Sequence, residues 1–589
     1  MTYSVTTDEG RSRLFKCVEF HYGQLKQARL LRTKLLRDYS GSRYSQDPLK
    51  QPLALMLQAA EAHVLGVAAN RPRVAVLSRN PDLAAFAEHF QTHFNNYLKE
   101  IRIEQTLQSI ALDSFFGGAF AKVYLGDSPN VLAEGDIWMD PGQVYVDRLS
   151  LDDFGYDTMA KDFRKCVLMF DRYRLPLSVV KDDSTRFDRK LTKDLQPNVG
   201  SDSSEAAEFI SGKPLDPVNE GDYEEMIDLV DVYLPRERRI FTWAARQFPS
   251  LRNTKPLAEQ DWVGAETGPY HYLNMGPVPD NILPTSPAQN VEWLADLCNS
   301  LARKGARQAQ RQKTLTGVKS SRKDDGDKIQ GASDGERIDL EDLEAVREIR
   351  LGGADNNLAA YLSGQVALFD RMAGNLKSRA GLGQSADTLG QEQMVHANVT
   401  RSEASMQAKM VRFTTEIIEA IAPMLFDDPV KTMPGSLKIR GTSVEIPDPW
   451  QPSIYEGARQ GTIKDYEFVV IDSSMAYQSL NQRSSTLQNA VMYVANIAPG
   501  FAALAQMGVQ ADLNELIDIL ADYGNSPELK RVFKTGRIPE MQETTAPRSS
   551  TATMNKPNGM YTRRNVSGEE SMEEAFSKMT PNENQEQAA

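Results

Sequence analysis

The sequence predicts an α+β protein of more than one domain, and three observations carry this. At 589 residues the chain is longer than one core ordinarily holds. Its first half mixes helix-period segments with alternating, strand-period ones. Near Ser286 the pattern changes to long helices on either side of a small charged insert. Apolar residues at 41% and charged residues at 25% fit a folded chain with local disorder.

Residues 9–38 space Leu14, Val18, Phe20, Leu25, Leu30 and Leu35 among many basic residues, which reads as one or two amphipathic helices near the surface. The segment 52–69 is a more apolar helix that stops before Pro72, because a residue preceding proline disfavours the helical region. VAVLS reads as a short strand, Pro81 opens a helix through FAEHFQTHFNNYLKE, and a further helix over 101–116 ends at Gly117-Gly118. AFAKVYLG, QVYVDRLS, CVLMFDRY, EEMIDLVDVYLP and RRIFTWAAR are strand-like. The stretch 181–222 is polar and rich in Asp, Ser, Pro and Gly, which reads as a surface insertion or long loop.

In the second half, Val291, Leu294, Cys298 and Leu301 form one narrow stripe on a helix over 288–313. Arg303, Arg307 and Arg311 then follow as a basic row at i, i+4, i+8. Such a helix suits packing on one side and water on the other. Residues 314–356 are a small charged appendage of short strands or turns with one short helix. A second helix over 358–374 aligns Leu358, Leu362, Val366, Phe369 and Met372, and a third, the longest, runs over about 392–422 with Pro423 at its last turn or a kink. Between the two lies LKSRAGLGQSADTLGQEQ, glycine-punctuated and partly basic. SLKIRGTSVEI is strand-like, three helices are expected in the region after Pro452, and the chain beyond about 541 has a disordered composition.

The chemistry of common enzyme classes is missing from the pattern. Ser211-Gly212-Lys213-Pro214 lacks the upstream glycine of a phosphate-binding loop. His89 and His93 sit four apart on a helix without the acidic partner pattern of a metalloprotease, so ordinary surface or interface roles are expected and no metal site is assigned. Asp152, Asp153, Asp157 and Asp162 suit a cation-binding loop or, more simply, a solvated loop rich in caps. Cys17, Cys166 and Cys298 are odd in number and far apart, which argues for packed free thiols and against a disulfide framework. No cofactor is implied, and the residues point away from an enzyme. A net charge of −13 argues against wrapping nucleic acid over the whole surface but leaves weak passing contact open. MTYSVTTDEGRSRLF has no apolar run of a signal peptide, and no run reaches membrane-spanning length, so no membrane partner is expected.

Several stretches together resemble a tailed-bacteriophage portal protein, the head-to-tail connector family. They are the order helix, charged insert, helix, glycine-rich loop, very long helix; AANRPRVAV with the helices ending in FFGGAFAKVYLG; GQVYVDRLSLDDFGYDTMAKDF; and LGQSADTLGQEQ. The resemblance covers roughly 10–540 and rests on the whole order, since this family has no short signature. It implies a portal-type fold: an N-terminal wing (1–285), a first stem helix (286–313), a clip (314–356) and a second stem helix (357–374). A tunnel loop (375–391), the long wing helix with C-terminal wing strands (392–469), a helical crown (470–540) and a tail (541–589) would follow. The 181–222 insert and the absence of a barrel-forming C-terminal pattern depart from it.

The resemblance further implies a ring, usually of twelve copies, at one capsid vertex of the virion, assembled in the host cytoplasm. Double-stranded DNA would be packaged through it by a terminase large subunit and later ejected. Tail or adaptor proteins and the major capsid or scaffolding protein would be partners. Under this reading Arg371, Lys377, Arg379, Gly381 and Gly383 meet DNA in the channel. Val291, Leu294, Leu301, Leu362, Val366 and Phe369 pack the stem, and Lys319, Arg322, Lys323 and Lys328 dock the motor. The alternatives are a structural adaptor whose helical hairpin is a plain dimerisation arm and an enzyme with an unrecognised site.

Overall fold

The computed structural model describes residues 4–41, 53–68, 70–126, 132–134, 137–139, 143–183, 186–198, 224–252, 254–321, 323–333, 337, 339, 346–351, 353, 355–374, 389–438, 445–475 and single positions between 488 and 496. All of them belong to one compact unit. Most of the tunnel loop (375–388), most of the expected crown and the tail lie outside the described residues.

The fold is mixed α+β, with antiparallel sheets and several helices. The larger sheet runs in the order Ser250–Leu251, Arg239–Gln247, Met226–Leu234, Met169–Pro176, Phe154–Tyr156, with Ala258–Asp261 also paired to Arg239–Gln247. A second sheet has Ala119–Gly126 between Tyr270–Leu273 and Gln143–Leu149. The helix Asp8–Gln24 covers one face of the larger sheet, setting Phe15 edge-on against Trp243 at 5.3 Å between ring centres. It and its successor Lys26–Ser40 are therefore more than surface helices: Val18 and Leu35 are fully buried, because the apolar residues beneath them need cover.

Part of the expected surface loop after residue 181 is also packed. Helix Leu177–Asp182 and the turn that follows place Val180, Phe187 and Leu195 in a core with Ile227 and Leu229, while 199–223 lie outside the described residues. Polar composition concealed two well-spaced apolar anchors in this stretch, Phe187 and Leu195.

A second core joins distant parts of the chain. Helices Ala84–Glu100 and Ile103–Phe116 pack against the last turns of Leu389–Phe426, through Phe90, Phe94, Ile417 and Ile421. Beside them Val74–Ser78 pairs antiparallel with Tyr466–Val470. YEFVV buries Tyr466, Phe468 and Val470 and leaves Glu467 and Val469 exposed, the alternation of a half-covered strand. Side chains of the neighbouring helix serve the outer edge of this ribbon: Asn95 Oδ1 accepts from Val74 N at 2.9 Å and Gln91 Oε1 from Val76 N at 3.0 Å.

Candidate functional site

The helix Pro287–Gln310 begins at Ser286, whose Oγ accepts from Gln289 N and donates to Phe115 O at 2.8 Å, tying the helix start to the body. The helix Asn356–Met372 begins at Asp355, whose carboxylate accepts from Asn357 N at 2.9 Å. Leu358 approaches Gly305 near one end of the pair, and Phe369 joins Val291, Leu294 and Cys298 near the other, so the two helices run antiparallel. Val291 and Leu294 are buried together with Leu35, Met56, Phe115 and Phe116; Leu362 and Val366 pack against this cluster, and Leu301, half-buried, lies outside it.

In the two helices, burial is confined to the base of the hairpin. Beyond Asn299 the first helix has no buried residue, and along the second helix only Phe369 is buried. Tyr361, Leu368 and Met372 are exposed at 53%, 36% and 45%, and their 7- and 4-residue spacings put them on one side of the helix. Arg307, Arg311 and Arg371 are exposed, while Arg303 is half-buried with its Nε donating to Asn299 O at 3.0 Å. Lys377, Arg379, Gly381 and Gly383 lie outside the described residues.

At the tip, Lys313–Val318 pairs antiparallel with Val346–Leu351, and one short helix, Lys323–Gly331, lies against the first strand. A Cβ at Gly326 would fall 2.5 Å from Val318 Cγ2, so glycine permits this close approach. Lys319, Lys323 and Lys328 are exposed, with Lys328 Nζ donating to Asp339 O at 3.3 Å. Arg322 is outside the described residues.

The body contains a charge network that sequence reasoning missed. Asp171 stands opposite Asp231 across one strand pair, and Asp231 opposite Thr242 across the next. Lys122, from the other sheet, reaches into this row, with Nζ 2.9 Å from Asp171 Oδ1 and 2.8 Å from Asp231 Oδ2. Tyr270 donates to Asp171, Tyr173 to Asp231 at 3.0 Å and Thr242 to Asp231 at 2.7 Å. Burial alone would push Lys122 down, but the two carboxylates outweigh it and hold the ammonium above the ordinary lysine value. Burial raises Asp171, while Lys122 and Arg186 outweigh burial at Asp231 and hold it below the ordinary range. Both carboxylates are almost wholly enclosed, at 2% and 5% side-chain exposure, so the network joins two sheets and faces no solvent-filled site. A charged residue inside AFAKVYLG and IDLVDVYL was the available signal.

The four aspartates of 152–162 are engaged one by one: Asp152 by Arg32, Asp153 by Arg172, Asp157 by backbone N–H groups, and Asp162 as a cap on Arg164 N. Two hydroxyl–imidazole contacts occur among the described residues: Ser114 Oγ lies 3.0 Å from His63 Nε2, and Thr158 Oγ1 lies 2.9 Å from His21 Nδ1, with His21 Nε2 3.6 Å from Asp157. Thr158 N also donates to that same Nδ1 at 3.2 Å, which occupies the nitrogen in anchoring the turn. Cys166 and Cys298 are buried and Cys17 is half-buried, all as free thiols. Among the described residues no helix is long and apolar enough to cross a membrane.

His271 carries a pH prediction. It is almost fully buried opposite Ala121, its Nε2 has no hydrogen-bond partner among the described residues, and burial pushes its pKa down to about 4. The unfolded chain then binds a proton that the folded chain refuses between about pH 6.5 and 4. Stability is full above that window and falls through it with acid, by roughly 3 kcal/mol at 1.36 kcal/mol per unit. Unfolding midpoints measured across this range should flatten in His271→Leu; an unchanged slope refutes the assignment.

The fold and its exposed parts define a class: an α+β chain whose body carries a helix–insert–helix excursion leading into a 38-residue helix. The sequence matches no protein-family model and no curated protein.

Proposed function

We propose that the chain is a portal-type subunit: a ring-forming structural protein through which double-stranded DNA passes at a capsid vertex. The observation that carries this reading is the excursion between Pro287 and Met372, in whose two helices no residue between Asn299 and Phe369 is buried. The free portion of the first helix, from Ser300 to Gln310, extends about 16 Å at 1.5 Å per residue, and six-residue strands add about 20 Å. A two-stranded hairpin with one short helix is marginal on its own in water, and the Tyr361–Leu368–Met372 side of the helix is exposed among the described residues. Repetition around a rotation axis would cover both, each copy's apolar side meeting its neighbour. Arg307, Arg311 and Arg371, with the 375–391 loop, then supply weak, sequence-independent phosphate contact. The acidic balance of the chain, −13, limits grip on the duplex. The charged tip, with Lys319, Lys323 and Lys328, is the docking face for a packaging motor or adaptor, where charge sets encounter rate and selectivity.

Particle images and native mass of the purified full-length chain test this. Closed rings with an opening wide enough for a duplex are expected. A two-fold dimer joined along the hairpin would replace the portal reading with that of a dimerisation arm, and a monomer at all concentrations would remove ring formation by this chain alone.

A further inference from the structure

Outside the hairpin, two histidines and an aspartate from opposite ends of the chain meet. His89 and His93 lie one turn apart on Ala84–Glu100, and Asp448 approaches them from the segment just after Glu445–Pro447. One nitrogen of each ring and one carboxylate oxygen of Asp448 lie within 4.8 Å of one another. His89 Nδ1 faces Asp448 Oδ2, and the two imidazole rings are 4.5 Å apart between centres.

The second observation is an orphaned atom. His93 is 1% exposed. Its Nε2 donates to the backbone oxygen of Asp448 at 2.8 Å, so the neutral ring has its lone pair on Nδ1. That Nδ1 is buried and has no hydrogen-bond partner among the described residues. The His89–Asp448 pair explains why His89 is where it is, but it leaves this lone pair unmatched, and an unmatched buried acceptor is unfavourable. The ring is also held closely: a Cβ on Gly435 would fall 2.2 Å from His93 Cε1 and 2.6 Å from Asp448 O. A histidine that gives its N–H to a backbone carbonyl and keeps the other nitrogen bare has the orientation that metal-bound histidines take.

We propose that His89, His93 and Asp448 bind one divalent transition-metal ion of the zinc type. Two neutral imidazoles and one carboxylate suit a borderline-soft cation, and alkaline-earth ions, which want six or more oxygens, are disfavoured. The ion replaces the proton between His89 and Asp448 and gives His93 Nδ1 its partner. Ligand atoms around a tetrahedral zinc are about 3.3 Å apart, so the three side chains, whose potential ligand atoms now lie within 4.8 Å of one another, draw together on the ion. Asp448 is 34% exposed, which leaves the fourth position to water. With three protein ligands fixed to a helix at one end of the chain and a strand segment at the other, the ion acts as a clamp on the body, independent of the hairpin and its proposed role.

The test uses the full-length chain stripped with a chelator and titrated with Co2+, then Zn2+. The expected result is the visible spectrum of tetrahedral Co2+ saturating at one ion per chain, bleached by Zn2+, with a melting temperature several degrees higher in the loaded protein. His89→Gln, which alters the more exposed ligand and leaves the packed ring of His93 in place, should weaken Co2+ binding at least tenfold, as should Asp448→Asn. Absence of saturable binding to the wild-type chain overturns the proposal. So does unchanged binding in either variant when its circular dichroism matches the parent, since the ion would then sit elsewhere.

Discussion

Lys122→Met should lower stability by about 3–5 kcal/mol, the cost of leaving buried carboxylates without their cation. Asp171 and Asp231 face each other across antiparallel strands, an arrangement unfavourable for like charges. Lys122 Nζ touches both within 3.0 Å, and no water can replace it, since the three side chains are between 2% and 10% exposed. Truncating the cation forces Asp171, already raised by burial, to take a proton, and leaves Asp231 with Arg186 3.9 Å away. Urea unfolding of the full chain followed by circular dichroism measures the loss. A triple variant, Lys122→Met with Asp171→Leu and Asp231→Leu, should recover much of it, because a packed apolar set often replaces a buried ion cluster with little loss. A loss under about 1 kcal/mol in the single variant would mean that the network is hydrated and structurally idle.

The second large effect separates the base of the hairpin from its outer side. Leu294 is fully enclosed among Leu35, Met56, Phe115 and Phe116, so Leu294→Asp buries an unpaired charge in the chain's own core. It should destabilise the monomer by about 4 kcal/mol or more. Leu294, one of the residues placed in the stem by the resemblance, is held by the chain's own core. Tyr361→Asp with Leu368→Asp should act differently. Both residues are exposed in the single chain, so unfolding midpoints should move little, while the population of the proposed ring at micromolar concentration should fall by roughly tenfold or more, equivalent to about 1.4 kcal/mol per tenfold. Melting curves and native mass on the same samples distinguish the two. Intact rings in the double variant would remove this helix side from the assembly surface.

The stretch around His89 shows how far a local pattern reaches. A pair of histidines four apart says only that two rings share a helix side. Asp448, which gives the pair its chemistry, lies 359 residues from His89. The same holds for 181–222, where composition described the solvent side well and missed that Phe187 and Leu195 close a core. Leu301 completes the stripe by spacing, yet it is only half-buried, because the body ends before that turn of the helix does.

By itself the sequence determined the order and type of the main elements, since the 3.6- and 2-residue periods are local quantities carried by neighbouring residues. It also determined the helix–insert–helix–long-helix order on which the functional proposal rests. Only the tertiary structure decided which strand meets which, as in Val74 opposite Val470, and which charges share a cavity, as in Lys122 with Asp171 and Asp231. The physical reason is that burial and ion pairing depend on distance in space. A lysine in an apolar strand has one pattern on paper whether it ends in water or between two carboxylates, and chain folding alone brings those carboxylates to it.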